Sequence, residues 1–252
     1  MTFKLNKRKS SRNVVGFLMI ISFLALSRES KSQSLTGTTG LLLIPTADMQ
    51  KDGTFILGTS YFNKQYLAYG DYQYNAMAGY VNLTFLPFVE LSFRYTYRFE
   101  EISRETRYFP DRMPSVRLRI IKERKNWPAI VAGVHDFTST QGGGHFSAKY
   151  LVATKTISGP SKNIIIKGTF GYGIDYRKIK ILNSRNGGFE GPFGGIQIEH
   201  SKIENLSFMF EYDSQYWNSG ARFILFKKIQ FISLLRNMKT WEGSLTYKIH
   251  LD

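Results

Sequence analysis

An all-β fold is what this sequence predicts, and three observations predict it. Side chains alternate apolar and polar with a period of two through most of the chain after residue 54, which is the repeat of a strand rather than a helix. The composition is rich in Phe (20), Tyr (15) and Gly (22), residues that suit pleated surfaces and the turns between them. Connections alternate between short, as at Leu86-Pro87 and Lys227-Lys228, and long, as at Glu100–Pro114 and Asp175–Gly191. About twelve strands follow from this pattern. They form either an antiparallel transmembrane β-barrel or, as the alternative, a soluble β-sandwich.

The N-terminus precedes that pattern and reads as an address. Met1 to Arg12 is basic, Val14 to Leu26 is a 13-residue apolar run, and Ser30-Lys31-Ser32 places small residues two apart. The run is shorter than the ~20 residues of a spanning helix, and its layout is that of a cleavable secretory signal. Residues 1–32 are therefore expected to be a signal peptide cleaved near Ser32 after Sec-type export. Residues 33–252 are expected to be one domain, exported and, in a bacterium, destined for the periplasm, the outer membrane or the outside. The net charge is +15, but residues 1–32 carry seven bases and one acid, leaving 27 bases and 18 acids beyond them. Those bases are scattered among strands without a clustered patch, so no nucleic-acid partner is expected. The chain has no cysteine, which excludes disulfides, thiolate metal sites and an N-terminal lipid anchor.

Taken in order, Leu35–Gly53 is a distinct opening with an apolar core, Leu41 to Ile44, that stops at Pro45 before the Asp52-Gly53 turn. Thr54 to Phe62 is a strand, apolar on both faces, and Tyr66 to Tyr74 a loop. In Met77 to Leu86, Met77, Val81, Leu83 and Phe85 oppose Ala78, Tyr80, Asn82 and Thr84. In Val89 to Arg98, Val89, Leu91, Phe93, Tyr95 and Tyr97 oppose Glu90, Ser92, Arg94, Thr96 and Arg98. Val116, Leu118 and Ile120 oppose Arg117 and Arg119. Ala129 to His135 and a second strand ending at Lys155 flank the glycine-rich loop Asp136 to Gly144. In that second strand Phe146, Ala148, Tyr150 and Val152 form the apolar face, expected outward, with Lys149 and Lys155 expected in the lumen. Ile164 to Tyr172, Ile196 to Glu199, Leu206 to Asp213 and Trp241 to Ile249 repeat the alternation. Ala221 to Phe226 and Ile229 to Leu235 are apolar on both faces.

The charged face separates barrel from sandwich. On a sandwich it would be a solvated outer face; in a barrel its two signs meet across the lumen. Aromatic residues near strand ends (Tyr97, Tyr172, Tyr212, Trp241) match the girdles of a membrane barrel. Against the barrel, the sequence finishes on His250-Leu251-Asp252 rather than on an aromatic residue. The outward-apolar barrel is the better fit. Candidate lumen or glycan-contacting residues are then Tyr80, Arg94, Arg117, Arg119, Asp136, Lys149, Glu211 and Asp213. The same residues also suit a closed ion-pair network that conducts nothing.

No chemistry beyond that is signalled. The four histidines, His135, His145, His200 and His250, lack metal-ligand spacing, no nucleophile elbow occurs, and Gly142-Gly143-Gly144 lacks the residues of a phosphate loop. Glu211 and Asp213, roughly 7 Å apart along a strand, have a separation compatible with a glycosidase pair but equally with lumen carboxylates neutralised by arginine. The chain is therefore expected not to be an enzyme, with no cofactor and no metal.

One resemblance covers most of the chain. Gly40-Leu-Leu-Leu-Ile-Pro-Thr-Ala47, Asp52-Gly-Thr54, Leu91-Ser-Phe-Arg-Tyr-Thr96, Pro128-Ala129, Gly133, Asp136, Ser147 to Lys155, Gly171-Tyr-Gly173, Gly191-Pro-Phe-Gly-Gly195 and Glu211-Tyr-Asp-Ser214 resemble, in order and spacing, YjbH-type proteins. The resemblance implies an outer-membrane barrel taking part in secretion of exopolysaccharide or group 4 capsule. Implied partners are outer-membrane lipid, the polysaccharide, and periplasmic or lipoprotein components of a secretion system. Many such proteins are lipoproteins and longer, which this cysteine-free sequence departs from. A structural or adhesin-like β protein without a transport role is the competing function.

Overall fold

The computed structural model describes residues 31–69, 72–99, 111–137, 147–159, 161, 163–174 and 189–251; the leader expected at 1–32 lies almost wholly outside them. The strands are β1 (Thr54–Phe62), β2 (Ala68–Tyr69), β3 (Tyr72–Gln73), β4 (Ala76–Phe85), β5 (Val89–Arg98), β6 (Asp111–Ile121), β7 (Ala129–His135) and β8 (Ala148–Ser158). They continue with β9 (Ile164–Ile174), β10 (Gly191–His200), β11 (Ile203–Tyr212), β12 (Trp217–Leu225), β13 (Ile229–Arg236) and β14 (Thr240–His250). β2 and β3 form a small separate ribbon. The other twelve close into one barrel in which each strand pairs with its neighbour and β1 joins β14. Every pairing is antiparallel, and closure leaves no open edge, so every ladder hydrogen bond has a partner within the wall.

The wall is apolar outside and polar inside. Leu91, Phe93, Tyr95 and Tyr97 of β5 are exposed, whereas Glu90, Ser92, Arg94 and Thr96 between them are buried. The same inversion holds on β4, β11 and β14. Aromatic side chains collect at the two rims: Tyr97, Tyr172, Trp217 and Trp241 at one, Phe85, Phe88, Trp127 and Phe226 at the other. This is the surface of a barrel that faces lipid. The rim with the second aromatic set carries the short turns. There Phe226 and Lys227 both take positive φ (51° and 61°), the type I′ geometry that matches strand twist. Longer connections leave from the opposite, loop rim, including 175–190, although the β13–β14 turn there is also short.

Two sequence expectations are corrected. Pro114 is not loop: β6 begins at Asp111, and Pro114 pairs with Phe93. The strand containing Lys149 is reversed. Ala148, Tyr150, Val152 and Thr154 point inward and are buried, while Lys149, Leu151, Ala153 and Lys155 lie on the outer wall. The lumen beside β8 is apolar, so this strand inverts the rule that polar means inside. Lys149 and Lys155 stand near the two ends of β8, where long stems carry their ammonium groups past the apolar band.

Inside the barrel, bulky rings lie across glycines of the adjoining strand. Tyr80 pairs with Gly58, Tyr150 with Gly133 and Phe193 with Gly171. A Cβ placed on Gly133 would come within 2.3 Å of the Tyr150 ring, so each ring needs the bare backbone opposite it. Gly79, by contrast, has open space around its missing Cβ. Gly133→Ala is expected to destabilise the barrel by about 1–3 kcal/mol through overpacking, and Gly79→Ala to change it little. Heat-modifiable gel mobility across a temperature series measures both; equal effects would show that the ring–glycine fit does not matter.

Candidate functional site: a lumen filled by the N-terminal segment

Residues 32–50 are not part of the wall. They run into the lumen from the short-turn rim, fold back, and leave at the same rim into β1. Leu35, Leu41, Leu42, Leu43, Ile44, Ala47 and Met49 are all buried and form the centre of the apolar core. The segment folds on itself through bridges from Gln33 to Thr39 and from Gly40 to Pro45. Gly37 takes φ +88° at the first bend, against the Tyr80 ring, a conformation that glycine alone adopts without strain.

Short polar segments have too few internal hydrogen bonds to be buried alone, and the wall provides the remainder. The Glu211 carboxylate accepts from the backbone N–H of Leu42 (3.0 Å), Leu43 (2.9 Å) and Ile44 (3.4 Å). Glu90 accepts from the Thr39 N–H at 2.9 Å and from Asn82 at 2.9 Å. Arg117 pairs with Glu90 at 3.0 Å and donates to the carbonyls of Thr39, Thr46 and Asp48. Gln33 and Gln230 exchange two bonds, at 3.1 and 2.8 Å. The Ala47 N–H donates to Thr154 Oγ1 at 2.8 Å, and Ser60 donates to the Leu35 carbonyl at 2.9 Å. Hydrogen bonds to charged partners in a low-dielectric interior are the stronger kind. The apolar side chains are fitted too. Leu41 sits where a Cβ on Gly195 would be, and Leu42 where one on Gly220 would be, at 2.8 and 2.7 Å.

At the short-turn rim Asp48 is held by Lys31 and Lys167, each at 3.4 Å, and Lys248 donates to Gln50 at 2.8 Å. Burial works against the Asp48 charge, but the Lys167 and Lys31 ammonium groups outweigh it and hold its pKa below the ordinary value. At the loop rim Arg236 faces Asp213 (3.8 Å) and Glu242 (3.7 Å) and lies 4.5 Å over the Tyr66 ring. Tyr66 in turn donates to the Arg236 carbonyl at 3.2 Å, folding the β1–β2 connection over this end.

The predicted residues separate accordingly. Arg117 and Glu211 grip the filling segment directly. Tyr80 is buried with its hydroxyl 2.7 Å from Thr246 Oγ1 and its ring over Gly58. Arg94 is buried beside Phe62, 5.7 Å from that ring. Asp213 accepts from the Gln215 and Tyr216 N–H groups and from Asn218, capping the β11–β12 turn. Asp136, with φ 52°, ends β7 at the loop rim and accepts from Ser147 at 3.0 Å. Arg119 is at the short-turn rim, donating to the Pro87 carbonyl. Lys149 is on the outer wall and takes no part in the lumen. Sequence reasoning missed Arg222 and Arg236, on strands that read as apolar on both faces, and the filling itself. A signal for the latter was present: Leu41 to Ile44 are four consecutive apolar residues that stop at Pro45, ahead of the first strand. Among the described residues no cluster of metal-ligating side chains occurs.

The profile of the YjbH family, described as exopolysaccharide biosynthesis protein YbjH, matches residues 32–231. The chain belongs to the YjbH family. The match takes in both the lumen segment and most of the wall. The uncharacterized lipoprotein YjbH of Escherichia coli (strain K12) is 26% identical over 246 residues, covering 86% of this chain and 33% of that protein. The chain thus spans about a third of that relative's length. The outer membrane protein Omp33 of Acinetobacter baumannii aligns over 79% of this chain and 99% of its own at 9% identity and a TM-score of 0.37, too loose a likeness to carry an argument.

Glu211→Ala would leave three buried N–H groups without their acceptor, each unsatisfied group costing roughly 1–3 kcal/mol. The wall is expected to survive and the filling to loosen, so planar-bilayer recordings should show conductance steps in Glu211→Ala that the unmodified protein lacks. Identical traces would mean that Glu211 does not retain the segment. A carboxylate with a depressed pKa contributes stability that is fully present above its unfolded value, about 4. That stability is lost as the pH falls through the lower, folded value. Asp48→Asn should accordingly lower the melting temperature at neutral pH and flatten the acid limb, the two profiles converging as the pH falls below the folded value.

Proposed function

We propose that this protein is a bacterial outer-membrane barrel that takes part in exopolysaccharide or capsule secretion, and that its lumen is gated by its own N-terminal segment. One observation carries the reading. The segment enters and leaves at one rim and, among the described residues, is held to the wall by side-chain hydrogen bonds, ion pairs and apolar packing rather than by a backbone ladder, so it can withdraw without threading and without breaking a strand pairing. Short turns lie on the periplasmic side of such barrels, so withdrawal would be toward the periplasm, where protein or lipoprotein partners of a secretion system would meet it. Export through a leader cleaved near Ser32 fits this placement. Cleavage after Ser32 would remove Lys31 and leave Asp48 to Lys167. Emptying the lumen would expose Arg94, Arg117 and Tyr80 to a passing glycan, two guanidinium groups for carboxylates or hydroxyls and one ring for sugar faces. No catalytic role is proposed for Glu211 and Asp213, whose carboxylates are occupied with the backbone.

The completeness of the packing favours a second reading, a permanently closed structural or adhesin-like barrel. A disulfide separates the two. The chain has no cysteine of its own, so Ala47→Cys with Thr154→Cys introduces a single possible pair. If the segment moves, oxidation of the pair abolishes surface polysaccharide and reductant restores it, while each single variant behaves normally. Undiminished polysaccharide with the pair fully oxidised would sink the gate and favour the closed barrel. If deletion of the gene leaves surface polysaccharide intact, the secretion role itself fails.

A further inference from the structure

The outer wall carries a feature that the lumen does not explain. On β9 and β10 two outward positions, Gly168 and Gly194, lack side chains and open a furrow of about 620 Å³, within the size range of small-molecule sites. Ala153 and Ile157 of β8 form one side and Phe210 of β11 the other. Trp217 stands at the loop-rim end, and Pro128 and Lys155 at the foot. In a barrel facing lipid this is a slot for a hydrocarbon chain.

What distinguishes the slot is its foot. Lys155 Nζ is 3.5 Å from Glu123 and donates to the backbone carbonyls of Lys125 (2.9 Å), Trp127 (3.5 Å) and Arg124. Its own charge is thereby committed to holding the β6–β7 turn, residues 122–128, against β8. That turn presents Lys122, Arg124 and Lys125, all exposed, and none of the three has an ion pair among the described residues. Exposed Trp127 (63%) sits among them, a residue that anchors at the headgroup level. These cations also line a bay of about 900 Å³ that adjoins the furrow through Lys155. An apolar slot that ends on three uncommitted cations at the membrane–water boundary has the charge pattern of one amphiphile.

The geometry points to a binding site for an anionic phospholipid of the periplasmic leaflet, its acyl chain in the Gly168–Gly194 furrow and its phosphate on Lys122, Arg124 and Lys125. The inference depends on the barrel facing lipid and not on any movement of the lumen segment. Each basic side chain near an anionic lipid surface strengthens association about fivefold. A zwitterionic lipid fills the same slot but gains little from the turn.

Trp217 supplies the readout. The full-length protein carrying Trp127→Phe and Trp241→Phe is reconstituted into bilayers, and Trp217 fluorescence is followed as brominated phosphatidylglycerol or brominated phosphatidylcholine is added at low mole fraction. Phosphatidylglycerol is expected to quench at several-fold lower mole fraction. Lys122→Gln with Arg124→Gln and Lys125→Gln should erase that preference and leave quenching by phosphatidylcholine unchanged. Gly168→Leu adds a side chain where a Cβ meets only Ile157, at 3.7 Å, and should weaken quenching by both lipids. Heat-modifiable mobility confirms that each variant is a folded barrel. Equal quenching by the two lipids, or a preference that survives the triple substitution, overturns the headgroup site. Phosphatidylglycerol quenching untouched by Gly168→Leu overturns the furrow. A dimer mass that Gly168→Leu converts to monomer would assign the slot to a second copy of the chain instead.

Discussion

A barrel that turns its apolar face to lipid must put its polar side chains inside, and whatever fills the inside must satisfy them. In this protein the filling is chain backbone. Glu211 takes three N–H groups from the innermost bend of the N-terminal segment, and Glu90 takes one more. Arg117 spans Glu90 and the carbonyls on both limbs of that segment. Removing the segment would strand these charges. Removing the charges would strand the segment's backbone. Wall and filling therefore specify each other.

Shape follows the same logic. Where the segment is thickest, at Leu41 and Leu42, the wall is thinnest, at Gly195 and Gly220. Elsewhere in the lumen, rings from one strand lie over glycines of the next, as Tyr150 does on Gly133. The lumen is packed like a protein interior, but its polar part is held by side chain–backbone bonds and not by shared sheet. The segment's two limbs reach one rim, with Asp48 between Lys31 and Lys167 and Gln50 under Lys248. Displacing it would cost those bonds while leaving all twelve strand pairings closed.

The outside of the barrel is less uniform than an annulus of hydrocarbon requires. Outward glycines on β9 and β10, next to a turn bearing three cations, make one sector of the wall chemically unlike the rest. The cause is local. Lys155 is drawn to the rim of β8 and fastens the turn, so the cations of that turn gather at the foot of the furrow.

Alternation along β4, β5, β11 and β14 was legible because a two-residue period leaves only one face for Arg94 or Glu211 once the other is aromatic. The residues themselves also placed the bounds of β1, β5 and β7, since Gly, Pro and charged turns punctuate a strand wherever it lies. β8 was read backwards because its polar and apolar faces are both mixed. Which of them is inside depends on whether the lumen beside it holds water or leucine. That neighbour is the N-terminal segment, more than a hundred residues away in sequence, and nothing within β8 itself announces it. Composition and periodicity thus determined a barrel wall and its polar lining. Only the tertiary structure decided that the lining is occupied, because burial of this segment becomes possible only when three separate strands converge on its backbone: Glu211 accepts from Leu42, Leu43 and Ile44, Glu90 accepts from Thr39, and Arg117 donates to the carbonyls of Thr39 and Thr46.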